Sequence, residues 1–103
     1  MQMLQIDVIR KLCKDETIFL TDHLKKRMRQ RQIKFEDIKN TIKTGQIIEQ
    51  YPDDYPFPSC LINGNNLHIV LSIGNDQLYI ITAYRPSNEK WEANGSKRKG
   101  GNQ

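Results

Sequence analysis

The sequence predicts a small α+β domain, helices first and an antiparallel sheet after them, on three observations. Apolar residues recur at helical spacing up to Thr44, and beyond Gly45 they alternate at strand spacing. The chain is 103 residues long, room for one core and no second domain. A hydrophobic fraction of 37% and a mean hydropathy of -0.70 fit a thin core under a wet surface.

Met3, Leu4, Ile6, Val8, Ile9 and Leu12 make a loosely helical start, broken near Lys14 and Asp15, and Ile18, Phe19 and Leu20 form a short apolar run. Thr21 or Asp22 can cap a helix reaching about Gln32 by offering a side-chain oxygen to the first N–H groups. A second helix, about Phe35 to Thr44, places Phe35, Ile38 and Ile42 on one face, and Gly45 is expected to end it in the left-handed conformation. Gln46 to Tyr51 and Ser59 to Ile62 read as strands. The intervening Pro52, Pro56 and Pro58 bar a central strand there. Asn63-Gly64 reads as a hairpin turn. Leu67 to Ile73 and Leu78 to Tyr84, joined at Gly74-Asn75-Asp76, are the strongest strands. Pairing Ile73 with Leu78 gives a core face of Leu67, Ile69, Leu71, Ile73, Leu78, Ile80, Thr82 and Tyr84, and puts His68 and Arg85 on the other. The chain divides into an N-terminal helical extension (1–19), one α+β domain (20–94) and a flexible basic tail (95–103).

Net charge is +4, unevenly spread. From His23 to Lys43 eight basic residues face two acidic ones, a net of +6, which leaves the remainder at −2. A basic segment on a mildly acidic body points to an anionic partner such as nucleic acid, or to a solvated helix face. No apolar run reaches the roughly 20 residues that cross a bilayer, and the early basic residues are not followed by a signal-like apolar stretch. Cys13 and Cys60 are too few for a disulfide framework. A cytoplasmic protein without membrane contact is expected. There is no HExxH spacing, glycine-rich phosphate loop or GxSxG, so neither metal nor cofactor is expected.

On a helical wheel with Leu20 at 0°, Leu24 falls at about 40° and Met28 at about 80°, a buried stripe. Lys25, Lys26 and Arg29 fall between about 140° and 240°, on the solvent side. His23, Arg27 and Arg31 lie between about −60° and 20°, beside the stripe, and are expected to border the core with Arg27 the most buried. Inward cations need carboxylates, such as Glu49 or Asp54, or a bound anion. An arginine fork matches phosphate, and histidine near neutral pH can move a proton. His68 on its strand can assist, or can be an ordinary half-buried residue; Tyr84 can assist or belong to the core.

Several segments occur in a telling order: Thr21-x-His23-x-x-x-Arg27-Met28-x-x-Arg31-x-Ile33, Gly45-Gln46-Ile47-Ile48, Tyr51 with Pro58-Ser59-Cys60-Leu61, Leu67-His68-Ile69-Val70, Ile81-Thr82-x-Tyr84-x-Pro86, and Trp91. Together they resemble the domain of unknown function 4258 family, from about Leu20 to Lys99. The resemblance implies helices packed on one face of a curved antiparallel sheet, similar to the RelE, barnase-EndoU-colicin ribonucleases. It also implies a small antitoxin partner, such as one of zinc-finger type. It carries family positions onto His23, Arg27, Arg31, His68, Tyr84 and Arg98. Here the connection before His68 is short, and Ala93-Asn94-Gly95-Ser96 stands where relatives have an acidic residue.

The reading is an RNA-binding, toxin-like domain acting as a metal-independent endoribonuclease. His23 is the expected general acid or base, Arg27 and Arg31 hold phosphate, and His68 and Tyr84 assist. Lys25, Lys26, Arg29, Arg85 and Arg98 are expected nucleic-acid contacts. The rival is a non-catalytic module whose basic cleft grips an acidic protein partner or nucleic acid.

Overall fold

Thr21 opens a helix as its residue type dictates: its hydroxyl oxygen accepts the Leu24 N–H at 3.0 Å, and Asp22 places a carboxylate in the first turn. In the computed structural model, which describes residues 3–87, the elements run α1 (Ile6–Lys11), a 3-10 turn (Asp15–Thr17), β1 (Ile18–Leu20), α2 (Asp22–Arg31), α3 (Phe35–Thr44), β2 (Gln46–Tyr51), β3 (Ser59–Gly64), β4 (Leu67–Gly74) and β5 (Gln77–Tyr84). Three helices pack on a five-stranded sheet of order β1-β5-β4-β3-β2. The basic tail expected at 95–103, with Trp91 and Arg98, lies outside the described residues.

One core joins the layers. Leu24 and Met28 of α2, Ile33, and Ile38 and Ile42 of α3 meet Cys60, Ile62, Leu67, Ile69, Leu71, Leu78, Ile80 and Ala83 of the strands. The strand residues all come from one sheet face, so the helices share that face. Ile9 of α1 is fully buried in the same core, and Arg10 ties α1 to α3 by donating to the Ile42 carbonyl at 3.2 Å and the Gly45 carbonyl at 2.7 Å. These are end-of-helix carbonyls that need a donor. Phe35 is only half-buried, with the Lys39 ammonium 4.8 Å from its ring centre.

The sheet is mixed, not purely antiparallel. Ile18, Phe19 and Leu20 pair in parallel with Leu78, Tyr79 and Ile80. Parallel partners lie far apart in sequence, so no turn signal announces them. Two bulges then decide which side chains share a face. In β5 the pairs are Leu71 with Ile80 but Val70 with Thr82, which makes Ile81 the extra residue. In β2 they are Ile47 with Ile62 but Glu49 with Leu61, which makes Ile48 the extra residue. The expected core face is therefore corrected beyond Ile80. Ala83 turns inward and is fully buried, whereas Thr82 and Tyr84 join Val70 and His68 on the opposite face. Tyr84, not Arg85, is the neighbour of His68.

Two turn expectations also change. Asn63 and Gly64 are strand residues paired with His68 and Leu67, and the left-handed positions belong to Asn65 (φ 51) and Asn66 (φ 60). Asparagine tolerates that conformation. Gly45 does end α3, but in extended backbone at φ -84 and ψ -173. Its requirement is space: a Cβ would stand 2.6 Å from the Thr41 carbonyl oxygen and 2.7 Å from that of Asn63.

Three outcomes follow from this packing. Gly45→Ala should cost about 2–3 kcal/mol, the range of overpacking, because the obstacles are backbone atoms. Thr21→Ala should cost about 1 kcal/mol through the lost cap; urea unfolding of both variants beside the wild type checks the order. Burial pushes the Cys60 thiol up to about 12 and also raises that of Cys13, against the lowering influence of Lys43 and Lys39. At pH 8 both thiols are then protonated and shielded, so a chromogenic disulfide reagent should label them only after unfolding in urea.

Candidate functional site

The flank of α2 that carries His23, Arg27 and Arg31 opens outward more than the wheel suggests. Leu24 and Met28 are the only buried residues of this helix, so the contact with the sheet is a narrow stripe. His23, Arg27 and Arg31 are all exposed rather than bordering the core, and the Arg27 guanidinium donates to Gln30 Oε1 on its own helix at 3.4 Å. Arg31 differs by its partner. Its NH1 donates to the Ala83 carbonyl on β5 at 2.8 Å. Arg27 stands one turn, about 6 Å, and His23 two turns, about 12 Å, further up the axis. Lys25, Lys26 and Arg29 lie exposed on α2.

Arg85 answers Arg31. Its NH1 donates to the Arg31 carbonyl at 2.5 Å and its NH2 to the Gln32 carbonyl at 3.2 Å. Gln32 is left-handed (φ 57, ψ 43), and its turn leaves those carbonyls facing outward for a cation to cap. Two guanidinium groups are thereby fixed where α2 ends and β5 ends. A polar hollow of about 330 Å³, lined by Asp37, Asn40, Asn65, Leu67 and Arg85, lies beside them. Sequence reasoning placed both arginines among the anion contacts and did not see that each also holds a backbone carbonyl.

His68 and Tyr84 sit directly opposite each other on β4 and β5, ring centres 5.4 Å apart and edge to face. His68 is completely buried and Tyr84 half-buried. Both project from the sheet face away from the helices. The sheet thus lies between His68 and the His23 flank, while Tyr84 is bracketed in sequence by Ala83, which accepts from Arg31, and Arg85.

The same face holds polar residues that sequence reasoning left out of the site. Asn63 pairs with His68, Glu49 pairs with Leu61, and Tyr51 pairs with Ser59, which pairs with Ser72. The Tyr51 hydroxyl donates to Glu49, and the Ser59 hydroxyl donates to Asp54. Neither Glu49 nor Asp54 forms the salt bridge to α2 that the wheel suggested; among the described residues the ion pair is Lys39 with Asp15, at 2.8 Å. The alternation of Ser59, Leu61 and Asn63 was the available signal, hidden by the apolar residues between them. Further along lies an aromatic row: Phe19 and Tyr79 edge to face at 5.7 Å, and Tyr79 and Phe57 stacked at 6.0 Å.

Among the described residues no group of three or more His, Cys, Asp or Glu could hold a metal ion, and no helix is long and apolar enough to cross a membrane. Neither a curated protein nor a solved structure matches the chain. A family model, described as a domain of unknown function (DUF4258), matches residues 20–85, which takes in α2, α3, β2 to β5 and both arginines of the corner but not Arg98. With more than half of its length inside that match, the chain belongs to the DUF4258 family.

Proposed function

We propose that the protein is a toxin-like, RNA-directed domain that cleaves RNA without a metal ion. The observation that supports this reading is the corner at the ends of α2 and β5, where the Arg31 and Arg85 guanidinium groups are fixed on backbone carbonyls, with Tyr84 and His68 behind it on the opposite face of the strand end. Guanidinium N–H groups match phosphate oxygens and keep their charge at every relevant pH. A phosphodiester on this corner has its developing charge met by fixed cations. The 2′-oxygen attacks phosphorus and loses its proton to water. The bond to the 5′-oxygen breaks, and in this reading the substrate crosses the end of β5, so that Tyr84 protonates that oxygen from the other face. His68 is too buried to touch RNA and serves as a positioning group for the Tyr84 ring.

The sequence alone nominates His23 for proton transfer. At about 12 Å from Arg31 along α2 it stands beyond one phosphate's span, so this reading gives His23 and Arg27 the neighbouring phosphates. Lys25, Lys26 and Arg29 add a salt-sensitive track. A small antitoxin, such as one of zinc-finger type, is the protein partner this reading calls for. One observation favours the rival, a non-catalytic module gripping an acidic partner: the sheet separates the two histidines, so they cannot act as donor and acceptor on one phosphate.

The test is single-turnover cleavage of a mixed-sequence RNA by the purified protein. Tyr84→Phe should slow cleavage at least about 100-fold, the usual share of a positioned acid, with binding nearly unchanged. Arg31→Ala should weaken binding and cleavage together. His23→Ala should weaken binding a few-fold and spare the chemical step, and EDTA should change nothing. A wild type that binds RNA but leaves it intact makes the non-catalytic module correct.

A further inference from the structure

The aromatic row continues into a groove of about 600 Å³ on the sheet face away from the helices, lined by Asp54, Tyr55, Phe57, Ser72, Tyr79 and Ile81 among others. Its walls are unusual for a surface. Tyr55 is 94% exposed, Ile81 51%, and nearby Phe19 50%, a cluster of large apolar groups kept in water. Phe57 is held over the sheet by an absence: a Cβ at Gly74 would overlap its ring. The ring then lies nearly parallel to Tyr79, 12° between planes, and presents a flat face beside the projecting Tyr55. The lining also holds a carboxylate. Asp54 takes the Ser59 hydroxyl on Oδ2, and its Oδ1 has no partner among the described residues.

Flat aromatic walls with a carboxylate acceptor among them suit a planar ring that carries an amino group. They do not suit a phosphate, which Asp54 repels. We propose that this groove is a subsite for one unpaired, amino-bearing base of single-stranded RNA, stacked on Tyr55 and Phe57 and read by Asp54, so that cytosine is taken in preference to uracil. The proposal rests on the RNA-directed reading above and adds the base it recognises. Stacking on aromatic side chains is sequence-tolerant, and an aspartate accepting from the cytosine amino group supplies the discrimination. Continuity with the basic surface supports this occupant. Phe19 lies in the edge strand β1, whose chain turns at Thr21 straight into α2 with Lys25, Lys26 and Arg29 exposed. The groove also shares its face with His68 and Tyr84, with Ser72 about 13 Å from His68 along β4.

The experiment uses the full chain, with fluorescence anisotropy of labelled hexacytidine and hexauridine RNA and a parallel NMR titration with the free nucleoside cytidine. Hexacytidine should bind several-fold more tightly than hexauridine. Tyr55→Ala should weaken hexacytidine binding roughly five- to hundredfold, the range for one lost stacking partner, while Tyr55→Phe restores it. Asp54→Ala should erase the preference between the two oligomers. Tyr55 is so exposed that its substitution leaves the fold intact, which keeps the test valid if Asp54→Ala unfolds. Equal binding of both oligomers, unchanged in Tyr55→Ala but weakened in Arg29→Ala, would overturn the subsite and leave the RNA reading standing. Cytidine shifts at Tyr55, Tyr79 and Ile81 without any RNA binding would support the subsite and end the RNA reading. No binding of either oligomer and no cytidine shift sinks both.

Discussion

Ile48 and Ile81, each an extra residue in its strand, set the chemistry of the sheet. Side chains alternate strictly along a strand, so one inserted residue exchanges every later side chain between faces. Continuing the pairing of Ile73 with Leu78 unbroken would oppose Leu67 to Tyr84 and drive the phenol into the core. The bulge at Ile81 instead opposes His68 to Tyr84 and sends Ala83 inward, where a small side chain is buried without residue. In β2 an unbroken register would oppose Glu49 to Cys60 and bury a carboxylate among apolar groups, at a cost far above that of one bulge. The bulge at Ile48 moves Glu49 opposite Leu61, onto the face of His68 and within reach of Tyr51. The helices and the core they cover are thereby kept to one side, and the hydroxyls, imidazole and carboxylate of the strands to the other, beside Leu61, Val70 and the aromatic row.

The end of β5 shows how a cationic site is made rigid without carboxylates. Arg31 holds the Ala83 carbonyl while Arg85 holds the carbonyls of Arg31 and Gln32, so the helix end and the strand end lock each other. Partial negative charge on the helix C-terminus draws a cation there. A guanidinium has five N–H donors, and Arg31 spends one and Arg85 two on these described bonds. The remainder stay available to a ligand, on side chains whose positions are already fixed. An arginine in this arrangement supports the fold and can bind an anion without changing its rotamer.

Much of the fold was legible because it is written in local signals. The Thr21 cap, the helix from Phe35 to Thr44 and the pairing of Ile73 with Leu78 are all carried by residue type and period. The features that were missed are those without a local signal. A bulge leaves the run Tyr79 to Tyr84 as apolar as an unbroken strand, and three-residue β1 finds a partner some sixty positions away. Asn63-Gly64 carries a stronger turn signature than Asn65-Asn66, yet Gly64 is used for closeness: a Cβ there would stand 2.9 Å from the Gly45 Cα. Of the site, the residue types His23, Arg27, Arg31, His68 and Tyr84 were readable. Their grouping was not, because the wheel describes α2 alone, and only the register of β5 shows that Tyr84 and His68 face away from it.

The distribution of charge separates the ligands this surface can serve. The aromatic end of the sheet face is acidic, with Asp53 and Asp54 in the loop before β3 and Asp76 in the turn before β5. The α2 surface at the other side of β1 is strongly basic. An acidic protein segment lying along both would gain on α2 and be repelled at the loop. A purely apolar ligand would fill the aromatic groove and find nothing among the lysines. In the proposed reading, single-stranded RNA would present its anionic chain on one side and flat, amino-bearing rings on the other, with phosphates following α2 and a base turning over the β1 edge toward Phe19 and Tyr55. The carboxylates that would weaken a phosphate site would then serve as acceptors for the base, and the short β1 leaves the passage between the two surfaces only three residues long.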